Sequence, residues 1–186
     1  NQSFAARPAD CHLVACGVTV PPDVPGGRAA LRASLGIGEN DPVLLFVGGL
    51  CLRKDPGFLI DALPAIVARH PRVRLLLVGP PLEPDYVAAM EAAAEVSGLR
   101  EAVHFAGEQL DPHPWFAAAD ILVFASQLEG FGTVVPEAMA HRLPVVVRRL
   151  PGVNDSFVLP GETGFLFDDQ LGLQAAVLRL IGDAAL

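Results

Sequence analysis

Two glutamates, Glu129 and Glu137, bracket the run Gly130-Phe131-Gly132-Thr133-Val134-Val135-Pro136. The glycines permit a tight turn and close approach of backbone to a ligand, because neither carries a Cβ. The residues from Val134 to His141 read as a helix, and a helix start presents unpaired N–H groups and the positive end of its dipole. That arrangement suits a phosphate. With Thr133 as the N-cap, Pro136 falls where its missing N–H would have had no helical partner. Glu129 in the loop and Glu137 about one turn into the helix can then face one crevice, each accepting hydrogen bonds from hydroxyl groups. Sugars and ribose offer such hydroxyls.

A second candidate is Lys54, placed just before Asp55-Pro56, which reads as an N-cap with proline at the first helical position. A cation is unfavourable at a helix start, and a bound anion would relieve the mismatch. Arg53 beside it reads as solvent-facing. Gly48 and Gly49 fit turn positions and close-approach positions equally well. Trp115 and Phe116 read as core; His104, His113 and His141 read as surface or capping groups, and Arg148-Arg149 as a solvated strand end.

These residues need elements to position them. The apolar runs Val43–Val47, Val73–Val78, Val103–Phe105, Ile121–Ala125 and Val145–Val147 have the continuous character of strands buried on both faces. Between them, helical spacing covers 55–70, 85–96, 115–119 and 134–141, with a closing helix over 171–181 and Pro64 as a point of bending in the first. Alternating strands and helices with right-handed crossovers predict an α/β fold, a Rossmann-like parallel sheet flanked by helices. Ligands in such sheets sit beyond the carboxyl ends of the strands, so the loops after Val47, Val78, Phe105 and Ala125 should line the site. Residues 1–40 are rich in Pro, Gly and Ala and read as a lead-in or linker segment, with an apolar run at 13–16 and a small helix around 29–35. Residues 41–186 read as the ligand-binding domain.

Composition narrows the function classes. With 186 residues and 52% hydrophobic content the chain can bury one good core. Its net charge of -8, from 21 acidic and 13 basic residues, argues against general nucleic-acid binding, which relies on Lys and Arg. Three cysteines (Cys11, Cys16, Cys51) form neither a disulfide framework nor a zinc pattern, which fits a reducing cytoplasm. No carboxylate or histidine cluster has coordinating spacing, so no metal is expected. No run reaches the roughly 18 apolar residues of a membrane span, and residues 1–10 lack a signal-peptide core. Asn1 in place of an initiating Met reads as a fragment or a processed product.

The spacing of Glu129 and Glu137, with Gly-Phe-Gly after the first and Glu-Ala-Met-Ala at the second, resembles the signature of retaining GT-B glycosyltransferases of the group 1, family 4-like kind. Val43-Leu-Leu-Phe-Val-Gly resembles the first strand of that family's donor-binding domain, Lys54 its phosphate-binding lysine, and Leu143-Pro-Val-Val-Val and Gly161-Glu-Thr-Gly-Phe its following strand and loop. The resemblance implies that Glu137 holds the ribose of a nucleoside-diphosphate sugar, that Glu129 lies at the donor sugar, and that Lys54 neutralises the diphosphate. The backbone of Gly130, Phe131, Gly132 and Thr133 would hold phosphate or sugar oxygens, and Gly107 and Glu108 would border the base. No cofactor is implied. The partners implied are the sugar donor, an N-terminal acceptor domain absent from this chain, and a sugar, lipid or other hydroxyl acceptor. The setting is cytoplasmic, with peripheral association of the full-length enzyme at the inner membrane face as an option.

Departures from that pattern open a second reading. Gly49 stands where the family places an arginine, Arg53 being the candidate substitute; Asp55 stands where glycine is common, and His141-Arg142 replaces a small pair. A catalytically degenerate nucleotide-sugar-binding module with a regulatory or scaffold role is the alternative. A glycoside hydrolase using the two glutamates is disfavoured, since a glycine-rich helix start suits phosphate better than a flanked glycosidic bond.

Overall fold

The computed structural model describes residues 17–19 and 26–182; the apolar run at 13–16, Cys11 and Cys16 lie outside them. The elements in chain order are α1 (Gly27–Ser34), β1 (Val43–Val47), α2 (Pro56–Val67), β2 (Arg74–Val78), α3 (Pro84–Val96), β3 (Val103–Gly107), α4 (His113–Ala118), β4 (Ile121–Phe124), α5 (Val134–Ala140), β5 (Val145–Arg148), β6 (Gly164–Phe167) and α6 (Gln170–Gly182). All strand pairs are parallel, in the order β3-β2-β1-β4-β5-β6. The expected α/β architecture is therefore present, and the strand order reverses between β1 and β4. At that point the connections leave to opposite faces and open a crevice above the strand ends.

The continuous apolar runs explain the sheet. Leu45, Phe46, Leu76, Leu77, Leu122 and the three valines 145–147 are each no more than 1% exposed, as central parallel strands covered on both faces require. Trp115 and Phe116 join this core as expected.

Four features depart from the sequence reading. The loop expected at Gly161-Glu-Thr-Gly-Phe runs into a strand, β6; Gly164 opens it because a Cβ there would stand 2.0 Å from the Val145 carbonyl oxygen, so only glycine lets the strand close on β5. Thr133 has helical dihedrals and makes no side-chain cap, so the turn into α5 is made by Gly132 at φ 77° instead. Asp55 occupies the N-cap position of α2 but does not cap it either: its backbone is left-handed and its carboxylate is engaged elsewhere. The Tyr86 hydroxyl accepts the Gly57 N–H in its place, at 2.9 Å. Arg148, expected as a solvated strand end, is mostly covered, its guanidinium lying over Phe58 and Phe167 at 4.3 and 5.6 Å from the ring centroids.

The helix expected near residue 29 is docked on the domain. Arg32 of α1 is 2% exposed; it donates to the carbonyls of Ala118, Gly38, Glu39 and Asp41 and pairs with Asp120 at 2.7 Å. Asp120 also accepts the Val43 N–H at 2.8 Å, so a buried cation ties α1 to the amino ends of β1 and β4.

Candidate functional site

The loop after β1 is held open by glycine and stitched to the loop after β2. Gly48 has φ 154°, and a Cβ on Gly79 would lie 2.0 Å from the Gly48 carbonyl oxygen. Gly48 donates to Val78 O and Leu50 to Pro80 O, both at 2.9 Å, while the Leu52 N–H reaches the Glu83 carboxylate at 3.1 Å. A turn closed by the Lys54 and Asp55 N–H groups on Cys51 O then aims Lys54 across the switch point. There its ammonium forms an ion pair with Glu129, from the loop after β4, and lies 5.3 Å from the Phe124 ring centroid.

Glu129 is the more enclosed partner: its side chain is 10% exposed against 18% for Lys54. Ser126, fully buried, donates its hydroxyl to Glu129 Oε1 at 2.6 Å. Arg53 stands 3.6 Å from the same oxygen but spends its guanidinium on the Leu128 carbonyl at 2.9 Å and is 49% exposed. The two loops are further joined by the Gln127 N–H donating to Arg53 O at 2.9 Å.

Between these loops lies a cavity of about 420 Å³ lined by Val47, Gly48, Lys54, Glu129, Phe131, Gly132, Thr133, Val134 and Glu137. The lysine and both glutamates singled out in the sequence therefore meet on one wall system, although Lys54 and Glu137 are 83 positions apart in the chain (137 minus 54). At the start of α5 the Val135 N–H bonds Gly132 O and the Glu137 N–H bonds Thr133 O. The Thr133 and Val134 N–H groups precede the helical ladder, as the first donors of any helix do. The cavity thus offers a cation, backbone donors and two carboxylates. The first two suit the oxygens of a diphosphate and the carboxylates suit hydroxyls.

Other expected site residues stand further off. Gly49, Gly130 and Arg53 adjoin the cavity without lining it. Gly107 and Glu108 lie at the end of the edge strand β3, two strands from β1, and the structure does not bring them to this cavity. The space above Gly49 is filled by Leu82: a Cβ on Gly49 would stand 2.3 Å from Leu82 Cδ1. Sequence reasoning missed Ser126, whose buried hydroxyl so close to Glu129 is visible only once the loop is folded, and Arg148.

The sequence profile of the glycosyl transferases group 1 family matches residues 41–183. This chain belongs to that family. Among relatives of the group 1 chain, the D-inositol 3-phosphate glycosyltransferase of Xylanimonas cellulosilytica is 36% identical over 166 residues, 84% of this chain and 39% of the relative. That of Nocardia farcinica is 37% identical over 155 residues, 76% of this chain and 33% of the relative. Among solved structures, Anabaena HepE in complex with UDP and glucose superposes with a TM-score of 0.79 at 32% identity, covering 87% of this chain and 44% of that one. The group 1 chain thus spans less than half the length of each of these relatives, and its sheet is that of a glycosyltransferase domain. Among the described residues no helix is long and apolar enough to cross a membrane.

Proposed function

We propose that this chain is the donor-binding half of a retaining glycosyltransferase of the GT-B type, and that the cavity at the β1/β4 switch point holds a nucleoside-diphosphate sugar. The observation that carries the reading is the convergence of Lys54, Glu129 and Glu137 on that cavity. In this account Lys54 and the Thr133 and Val134 N–H groups take the diphosphate, Glu137 accepts from the ribose hydroxyls, and Glu129 stands at the donor sugar. Gly107 and Glu108 border the base only if the base extends toward β3. Because HepE is solved with UDP, uridine is the first base to try.

The reaction moves the sugar from the diphosphate to a hydroxyl of a sugar, lipid or other acceptor, with the anomeric configuration kept. The sugar–phosphate C–O bond breaks, a C–O bond to the acceptor forms, the acceptor proton is released, and the diphosphate leaves with the bonding pair. Negative charge grows on that diphosphate, where fixed cations and dipoles help most. Lys54 supplies this without a metal. A second domain carries the acceptor, so the isolated chain binds donor without transferring it. The full-length enzyme acts in the cytoplasm or at the inner membrane face.

Calorimetric titration with UDP, GDP and ADP and their sugar conjugates tests the reading, beside Glu137→Ala. Saturable binding weakened by the substitution supports it; no binding by any of them removes it. The second reading, a binding module without transfer, is favoured by one observation: Gly49 brings no side chain to the position where the family places its second cation, and Arg53, the candidate substitute, is turned to the Leu128 carbonyl. Donor turnover by the full-length protein would exclude that alternative.

A further inference from the structure

We infer that Asp55 and Arg148 form a charge clamp that fixes Lys54 at the donor cavity, Asp55 acting as a positioning residue; the inference rests on the donor reading above.

Asp55 directly follows Lys54 and has φ 51° and ψ 46°, a left-handed backbone that side-chain-bearing residues seldom adopt. Three other elements hold its carboxylate there. Oδ2 accepts from Arg148 Nη2 of β5 at 3.0 Å and from Gln127 Nε2 in the loop after β4 at 2.9 Å. Oδ1 faces the Tyr86 hydroxyl of α3 at 3.4 Å. The arginine is itself immobilised: its Nε donates to the Ala125 carbonyl at 2.8 Å and its plane is covered by Phe58 and Phe167. The pair is largely sheltered, with side chains 19% and 18% exposed. A glycine at this position would adopt the backbone without strain but would remove the side-chain ties from this loop to β5 and α3 and one of those to the loop after β4. The carboxylate converts a strained residue into a tie between the loop carrying Lys54, the loop carrying Glu129, and β5. It also neutralises Arg148, so that cation is not available to a phosphate.

Two readouts test the clamp. The first is amide hydrogen exchange at Lys54 and Asp55, both bonded to Cys51 O, measured without ligand and compared with the β1 amides. Asp55→Asn keeps a residue type that tolerates left-handed backbone and Asp55→Gly removes the strain altogether. The clamp predicts faster exchange confined to the loop in both, and in Arg148→Gln. The second is affinity: UDP should bind each variant about tenfold more weakly, the scale of one sheltered charge pair, while uridine affinity is unchanged, since Lys54 serves the diphosphate. The double variant Asp55→Asn/Arg148→Gln should lose no more than the worse single one. Wild-type exchange and UDP affinity in Asp55→Gly and Asp55→Asn would overturn the clamp, as would additive losses in the double variant. The exchange result stands alone: if the wild type bound no nucleotide, the donor reading would fall while unchanged exchange would still refute the clamp.

Discussion

Replacing Lys54 by Met separates the two roles its ammonium could have. In the unliganded protein Lys54 is paired with Glu129, and removing it leaves that carboxylate with the Ser126 hydroxyl at 2.6 Å and the Arg53 guanidinium at 3.6 Å. Glu129 therefore keeps partners, and what is lost is the ion pair and the ammonium's 5.3 Å approach to the Phe124 ring centroid. The cost to folding should be about 1 kcal/mol, well below the 3–5 kcal/mol of a fully orphaned buried charge, or a Tm loss of about 2–4 °C in a chain of this size. A diphosphate in the cavity, by contrast, would lose a charge-assisted hydrogen bond of about 1.5–3 kcal/mol, which weakens UDP by roughly 10- to 150-fold. Thermal melts and calorimetric titration of the same preparations give both numbers. An unchanged UDP affinity beside the small Tm loss would refute the reasoning, because Lys54 would then serve only Glu129.

Further substitutions probe the neighbouring features. Gly49→Arg should tighten UDP binding by about tenfold, since Leu82 is 60% exposed and free to swing aside; a looser complex by calorimetry would show that the vacated arginine position no longer faces the diphosphate. Arg32→Met should destabilise the fold by about 3–5 kcal/mol in urea unfolding, because it strips donors from four carbonyls and from Asp120; a loss under 1 kcal/mol would contradict that. Partial desolvation holds the surface residue His104 below its ordinary pKa, and partial burial followed by the nearby His113 does so for His141, which stacks on Phe116. A base with a lowered folded pKa gives stability that is complete above its unfolded value of 6.5 and is lost as pH falls from there through the folded value. Urea unfolding at pH 7.5 and 5.5 should therefore show lower stability at the acid pH, and a smaller difference in a His104→Gln/His141→Gln variant; an equal difference would exclude these histidines.

The sheet was legible because its central strands announce themselves as unbroken apolar runs, and the helices because Leu59, Ile60, Leu63 and Ile66 repeat at helical spacing and are all buried. β6 was hidden: it is four residues long, starts on glycine, and earns its place only through the approach to Val145. The cavity was legible in outline, since glycines beside Glu129 and a helix start before Glu137 are local signals. What joins those signals is not local. Nothing in the spacing of Lys54 and Glu129 says that they pair, and Arg148 reads as a solvated strand end because its partners, the Ala125 carbonyl and the Asp55 carboxylate, come from distant segments. Asp55 before proline looked like a helix cap for the same reason. Its partners Gln127 and Arg148 are 72 and 93 positions away.

The most direct test of the central claim is to map UDP onto the folded chain by NMR shift perturbation of its backbone amides. The account predicts saturable shifts at Gly48, Lys54 and the segment from Glu129 to Glu137, with little change at the amino ends of the central strands near Arg28 and Asp41. Shifts centred on those amino ends, or none at any concentration that saturates a millimolar site, would contradict it.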